Sequence, residues 1–524
     1  MNVAENVARG SRLFPDKPAL IFESMSFTYK QLNGAANRVA NGLRRLGINP
    51  GDRVALMLPN IPEFVFCYLG ILKAGAIAVS LNVMLKSDEV KFILDDCEAK
   101  VLIVAEVSRE NLPPTCRYLR HVLTVRDSAG RAECGTGTLS ECDRFASLEE
   151  LMASASSEGQ AMNMEPNAPA AIIYTSGTTG FPKGAILSHG NVVSNSYAAN
   201  HCCRMRREDK FLLYLPLFHC FGQNFILNAG LNVCGTIVLQ RRFDALETLK
   251  AIVDYEITMF FGVPPVFIKL LALPASGWDL SSVRYYFTAA ASMPVEVARQ
   301  WQSRYGKPIY EGYGLTETSP FASYNNDLQY KLGTIGTPIE NVEMKVVDAE
   351  GRELPPGEVG EIVVRGPNVM LGYWKRPEET ERVLQNGWLH TGDLGKTDEQ
   401  GYFYLVDRLK DMINMSGFKV YPAEVERVLY EHPAVREAAV FGVPDPEKGE
   451  RVVAHVRLRD GCEIVAADLQ AFCRERIATY KVPQVIKFVA SIPKNPTGKV
   501  LKRLLRQREM VSPVVAAEPL PVSG

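Results

Sequence analysis

Residues Tyr174–Gly184, reading YTSGTTGFPKG, constrain this chain more than any other stretch. Thr175, Ser176, Thr178 and Thr179 supply hydroxyls, Gly177, Gly180 and Gly184 supply backbone freedom, and Lys183 supplies a cation. The apolar runs on either side, Ala170–Ile173 and Ala185–Leu187, read as buried strands, so the loop is a tight connection held by a sheet. Glycines let backbone N–H groups turn toward an anion, hydroxyls donate further hydrogen bonds, and lysine adds a point charge. That is a chemistry for holding a polyphosphate. A polar surface linker is the bland alternative, although linkers rarely place a lone Pro-Lys-Gly after such a run. A P-loop would read G-x-x-x-x-G-K-[ST], whereas here Pro182 stands five residues after Gly177 and Gly184 follows Lys183, so the loop is of another kind.

At 524 residues the chain exceeds one ordinary core and should hold more than one domain. A hydrophobic content of 47% and a formal net charge of −1 are those of a globular protein with no global attraction to nucleic acid or anionic lipid. The basic cluster Arg204-Met205-Arg206-Arg207 reads as a solvated face, or as a patch for an anionic carrier. Eleven cysteines, odd in number and without C-x-x-C pairs, point to reduced thiols and a cytoplasmic compartment, not to a disulfide framework or a zinc site. Met1–Asp16 lacks the apolar core of a secretory signal. Val65–Leu85, the longest apolar stretch, is broken by Gly70, Lys73, Gly75 and Asn82, and predicts a buried helix, turn and strand instead of a membrane span. Peripheral contact with a membrane stays open.

The pattern along the chain is α/β. Leu20–Tyr29 predicts a short hairpin, and Thr28 with Gln31 a capping box before a helix carrying Leu32, Ala36, Val39, Leu43 and Leu46. Gly47 ends that helix and Arg53–Met57 begins a strand. Similar alternation over Phe64–Ser80, Asp88–Ala105 and Asn191–Cys203 implies layered, largely parallel sheets. Ser128–Cys142 reads as a surface excursion. Near the end, a helix over Ala423–Glu431, strands over Arg436–Val443, Val452–Leu458 and Ile486–Phe488, and a helix over Ala467–Ile477 make a small α+β domain. Residues 509–524 are expected to form a disordered tail.

Further motifs follow the loop in order: Gly312-Tyr313-Gly314-Leu315-Thr316-Glu317-Thr318, Trp388–Asp393 with Thr391-Gly392-Asp393, Asp407–Asp411, Ser416–Pro422, and Pro496-Thr497-Gly498-Lys499. Together with the phosphate loop they resemble the signature of the adenylate-forming superfamily of acyl-CoA synthetases, peptide-synthetase adenylation domains and luciferases. The resemblance spans about Leu13 to Arg503 and is strongest to fatty-acid–CoA ligases. It implies a large N-terminal domain of several subdomains over residues 1–407, a hinge at 408–411, and a small mobile C-terminal domain over 412–508.

The resemblance also implies chemistry. A carboxylate attacks the α-phosphate of ATP and releases pyrophosphate; a thiol, that of CoA or of a carrier protein's phosphopantetheine, then attacks the acyl-adenylate and AMP leaves. Thr175, Ser176, Gly177, Thr178, Thr179, Gly180 and Lys183 would cradle the phosphates. Glu317 is carried over as a Mg2+ ligand beside Thr316, whose hydroxyl would meet the α-phosphate; alone, the two also read as a capped first helical turn. Gly312, Tyr313, Ala290 and Ala291 would wall the adenine, with Ala289 and Ser292 departing from the family's usual glycine and proline. Asp393 and Arg408 would hold the ribose; alone they also read as a domain-edge ion pair. Lys499 is carried over as the cation of the first half-reaction, although beside Lys494 and Lys502 it also reads as a basic tail. Lys410 would be the pivot and Gly417 would enter for the thioester step. His219 stands where the family has an aromatic gate; a lone His among aromatics is otherwise a core residue.

The acyl pocket is expected from Phe218–Leu231, Phe260–Pro264 and the turn near Ala289, with Phe218, Phe221, Gly230, Gly262 and Val263 as lining residues. No Arg or Lys lies in the first two segments, which disfavours a dicarboxylate. Glycines 230 and 262 are expected to leave depth for a medium or long fatty chain. An aromatic acid is the alternative, and a non-catalytic binding protein the reading from another class.

Overall fold

The computed structural model describes residues 1–126, 145–175, 182–274, 277–409, 411–415, 418–445, 448–495 and 499–511. The expected excursion over Ser128–Cys142 therefore lies outside the described residues. The chain divides into two compact units. Met1–Met293, Val297–Lys345 and Val363–Thr391 make the first; Pro294–Glu296, Val346–Ile362 and the chain from Gly392 onward make the second. The boundary expected at residue 407 falls inside the second unit.

Local signals set the start of the first unit. Thr28 accepts from the Gln31 N–H while the Gln31 side chain accepts from the Thr28 N–H at 2.8 Å, so the helix Tyr29–Arg45 begins with a full capping box. Leu32, Ala36, Val39 and Leu43 bury one face, and Gly47, at φ 78°, supplies the left-handed residue that ends the helix. The hairpin ahead of it pairs Pro18–Phe22 with Met25–Thr28. It edges a sheet of otherwise parallel strands: Thr236–Leu239, Lys210–Leu213, Met259–Gly262, Tyr285–Thr288 and Ile309–Glu311.

A second sheet of the same unit centres on parallel strands Arg53–Met57, Ile77–Ser80 and Ala99–Ala105. The apolar stretch from Val65 resolves into the helix Pro62–Lys73 and the strand Ile77–Ser80, both buried. Among the described residues no helix is long and apolar enough to cross a membrane. At one edge this sheet turns antiparallel: Pro169–Thr175 pairs with Lys183–Ser188, and the latter with Gly372–Tyr373.

In the second unit, residues 393–397 pair antiparallel with Phe403–Arg408. A sheet of Phe418–Val420, Ile413–Met415, Gly449–Leu458, Val435–Asp445 and Val485–Phe488 follows. One face buries Val425, Leu429 and Leu469 against Val440 and Val452; the other buries Phe441 and Val453 against Ile492 and Leu505. The expected tail start at residue 509 is corrected: the helix Lys502–Val511 runs through it. Glu509 is buried there and accepts from Lys487 at 2.8 Å, with His455 Nε2 at 2.9 Å, which fixes the end of the helix to the sheet.

Candidate active site

Thr175 and Lys183 face each other across the last rung of their antiparallel pair, so the two ends of the phosphate-type loop are fixed by the sheet. Ser176, Gly177, Thr178, Thr179 and Gly180 lie outside the described residues. Gly184 is required by close approach: a Cβ there would stand 2.6 Å from Ile172 Cγ2 and 3.1 Å from the Tyr174 ring. Tyr174 donates its hydroxyl to Asp96 at 2.6 Å, and burial raises the phenol well above its ordinary range, so it stays a donor. The Lys183 ammonium sits 3.9 Å from Glu379 and 5.4 Å from the centre of the Tyr373 ring.

The segment 372–380 brackets this region. Gly372 and Tyr373 add an edge strand opposite Ile186 and Ala185. Beyond it Trp374 donates to the Asp96 carbonyl at 3.0 Å, Lys375 pairs with Glu98 at 2.6 Å, and Arg376 pairs with Asp96 at 2.8 Å. Tyr373 donates its hydroxyl to Glu317 Oε1 at 2.8 Å and so fixes that carboxylate. Burial, then the Glu317 charge, keeps the phenol protonated. Nothing in the local sequence marks Tyr373 or Glu379; both act through partners distant in the chain.

Glu317 and Thr316 lie on the single turn Thr316–Thr318, and the Leu315 N–H donates to Thr318 Oγ1 at 3.1 Å. That bond bears on the cap reading of this segment. The Tyr373 hydroxyl engages Oε1 of Glu317. Among the described residues no three His, Cys, Asp or Glu side chains converge as a metal cage. A magnesium ion here would thus rest on one carboxylate and on phosphate oxygens, which suits its preference.

Thr316 is buried, and its hydroxyl lies 3.5 Å from the Cys220 sulfur, which joins the turn to the His219 segment. Burial pushes the Cys220 thiol up to about 12, so it is a neutral neighbour of Thr316. His219 Nδ1 accepts from the Phe221 N–H at 3.3 Å, which sets the ring's orientation. The following residues, Phe221–Asn228, form a wide π-helical segment, all of it buried. From it Phe225 packs 5.3 Å from Phe287, 4.8 Å from Phe321 and 5.3 Å from Phe261, ring centre to ring centre. Phe221 lies 6.3 Å from Phe287. Within the segment Gln223 donates to Ser80 at 2.7 Å and Asn228 to the Tyr68 hydroxyl at 2.9 Å, and its polar side chains are all neutral amides.

The depth expected at Gly230 and Gly262 is corrected. A Cβ at Gly230 would stand 2.7 Å from Ile237 Cδ1, and one at Gly262 would stand 3.0 Å from both Tyr214 Oη and Phe267. The space these glycines open is filled by their own neighbours. Phe218 is partly buried, while Val263, at the start of the helix Pro264–Leu271, is buried.

Around the residues expected to wall the adenine, Gly312 donates to the Thr288 carbonyl at 3.0 Å, and a Cβ there would stand 2.4 Å from Phe287. Tyr313 is buried on a short strand paired with Phe321–Tyr324. Ala290 and Ala291 are exposed, and the positive φ of 70° falls on Ala290, not on Ala289 where the family's glycine is usual. The turn is held from beneath by Glu311, whose Oε1 accepts from the Met293 N–H at 3.0 Å. Burial pushes this carboxyl up to about 8, offset in part by that N–H.

In the second unit Asp393 and Arg408 are opposite one another across two strands, with Arg408 Nε 3.1 Å from Asp393 Oδ1. Asp407 accepts from the Ala423 N–H and from the Arg408 N–H, each at 2.7 Å, and burial pushes its carboxyl up to about 6. Lys410 and Gly417 lie outside the described residues. Around Lys499 the backbone is tied twice to Asn495: the Lys499 N–H donates to Asn495 Oδ1 and the Asn495 N–H to the Lys499 carbonyl, each at 2.8 Å. Its basic neighbours are engaged: Lys494 pairs with Glu437 at 2.7 Å and Lys502 with Glu426 at 2.9 Å.

Comparison with known proteins bears on both units. The family model for the AMP-binding enzyme matches residues 7–374, and that for the AMP-binding enzyme C-terminal domain matches 424–499. The chain belongs to this family, the AMP-forming acyl-CoA synthetase superfamily, and is an AMP-forming acid–thiol ligase. A long-chain-fatty-acid–CoA ligase of Bacillus subtilis (strain 168) is 36% identical over 95% of this chain and 92% of its own. A feruloyl-CoA synthase of an Amycolatopsis species is also 36% identical, over 95% and 97%. The crystal structure of the anthranilate CoA ligase AuaEII with anthranoyl-AMP is 31% identical and superimposes with a TM-score of 0.89 over 98% of each chain.

Proposed function

We propose that this protein activates a monocarboxylic acid with an uncharged hydrocarbon body, a medium- or long-chain fatty acid by preference, and transfers it to CoA. The observation that carries the substrate class is the buried cluster that follows His219: phenylalanines 221, 225, 261, 287 and 321 packed together, with neutral amides. Neither Phe218–Leu231 nor Phe260–Pro264 carries an Arg or Lys to pair with a second buried carboxylate. The fatty-acid ligase relative supports this reading. An aromatic acid is the second reading, favoured by the phenylalanine cluster and by the feruloyl-CoA synthase relative.

In the first half-reaction a carboxylate oxygen bonds to the α-phosphorus of ATP as the bond to pyrophosphate breaks. Both partners are anions, so the site must cancel charge and fix geometry. Lys183 and the loop from Thr175 hold the departing phosphates, Thr316 donates to the α-phosphate, and Glu317 would hold a magnesium ion, which would supply charge to offset that of the phosphates. Tyr313 with the Ala290–Ala291 turn bounds the adenine, Asp393 and Arg408 take the ribose hydroxyls, and Lys499 bridges α-phosphate and attacking carboxylate. His219 orients the acid and need not act as a base, since carboxylates are ionised at neutral pH. In the second half-reaction the thiol sulfur bonds to the acyl carbon and AMP leaves, with Lys410 as pivot and Gly417 entering in place of Lys499. We place the reaction in the cytoplasm, a site that suits the free thiols of the described cysteines.

Incubation with ATP, magnesium and a pool of fatty, aromatic and dicarboxylic acids, read by mass spectrometry with and without CoA, tests this. A fatty acyl-CoA formed only with CoA is expected. A product from the aromatic acids alone selects the second reading, and an acyl-adenylate that persists with CoA points to a carrier-protein thiol. A dicarboxylate product would overturn the reading of the pocket.

A further inference from the structure

Lys183 does not stand in solvent. Its ammonium is half-enclosed between the face of Tyr373 and the carboxylate of Glu379, 3.9 Å away. Glu379 sits in the first turn of the helix Pro377–Val383, and that turn is not loose. Just before it, Arg376 and Lys375 are paired with Asp96 and Glu98, Trp374 bonds to the Asp96 carbonyl, and Thr380 Oγ1 accepts from the Tyr373 N–H at 2.9 Å. The carboxylate is therefore delivered to Lys183 by an anchored segment. The same segment reaches Glu317 through the Tyr373 hydroxyl. One bracket thus touches a cation suited to phosphate and a carboxylate suited to a phosphate-bound metal.

An ammonium has one charge to share. A polyphosphate oxygen that engages Lys183 must compete with Glu379 for it, and in a partly buried site that competition is screened less than at the surface. We infer that Glu379 is a positioning residue that competes with polyphosphate for Lys183 and so limits how tightly the leaving pyrophosphate is held. This rests on Lys183 being a phosphate ligand. In the forward direction Glu379 takes back the ammonium as pyrophosphate departs; a substrate with more phosphate contacts prevails over it, and a product with fewer does not.

The test is calorimetric titration of the full chain with magnesium pyrophosphate, which needs no knowledge of the acid. Glu379→Gln should lower the Kd about three- to fivefold, the scale of a weak, partly buried ion pair. Lys183→Met should raise it. In the Lys183→Met background, Glu379→Gln should change the Kd less than about twofold, because the competition has lost its object. Glu379→Asp, too short to reach Lys183 from the same helix, should behave as Gln does, and thermal melts of all variants report folding. An equal gain with and without Lys183 would mean general charge repulsion and would overturn the inference, as would no gain in either Glu379 variant. If Lys183→Met leaves the Kd unchanged, the phosphate role of Lys183 itself fails.

Discussion

Glu311 closes a parallel strand with its side chain enclosed, and a backbone N–H, that of Met293, is the donor that meets it. Taking a carboxylate out of water favours its neutral form, and the group is pushed up to about 8. The consequence for stability has a definite sign. Between the ordinary Glu value and about 8 the folded chain holds a proton that the unfolded chain has lost, so stability falls as pH rises through that window. Glu311→Gln keeps an acceptor for Met293 and removes the titration. The variant should gain on the wild type by of order 1–3 kcal/mol between pH 5 and pH 8, seen as a melting-temperature difference that widens with pH. A difference that stays constant across that range would show that the carboxyl is ionised in the fold.

At the scale of elements, Asp407 does for the helix Pro422–Glu431 what an N-cap does, although the strands Ile413–Met415 and Phe418–Val420 lie between them in the chain: its Oδ2 takes the Ala423 N–H. Asp407→Ala should cost about 1–2 kcal/mol and speed hydrogen exchange in the first turn of that helix, whereas Asp407→Asn keeps the acceptor and should cost less. Equal exchange in all three proteins would remove Asp407 from the helix start. The contrast with Thr28 and Gln31 shows which parts of the fold were legible beforehand. That capping box lies within four residues and its chemistry is local, so the sequence displays it. The small second unit was also readable, since its strands and helices follow apolar periodicity. Asp407 as a cap, Tyr373 on Glu317 and Glu311 under the Met293 turn were not, because each depends on a partner brought near only by the sheets. The glycines 230 and 262 failed as signs of depth for a related reason. A missing side chain says nothing about which neighbour, Ile237 or Tyr214, moves into the space.

For the whole molecule, the ordered motifs were the legible part, and they fall into both units. Thr175, Lys183, Thr316 and Glu317 belong to the first; Asp393, Arg408 and Lys499 belong to the second. In the function proposed above, Lys499 is needed only while charge builds between carboxylate and α-phosphate. The two halves can be measured apart in the Lys499→Ala variant: acid-dependent exchange of pyrophosphate into ATP for the first, and thioester formation from preformed acyl-adenylate and CoA for the second. The exchange should fall about a hundredfold or more, the scale of losing a group that stabilises transition-state charge, while thioester formation stays within about fivefold of wild type. Equal loss of both halves, or exchange that survives, would contradict the assignment of Lys499 and with it the two-step account.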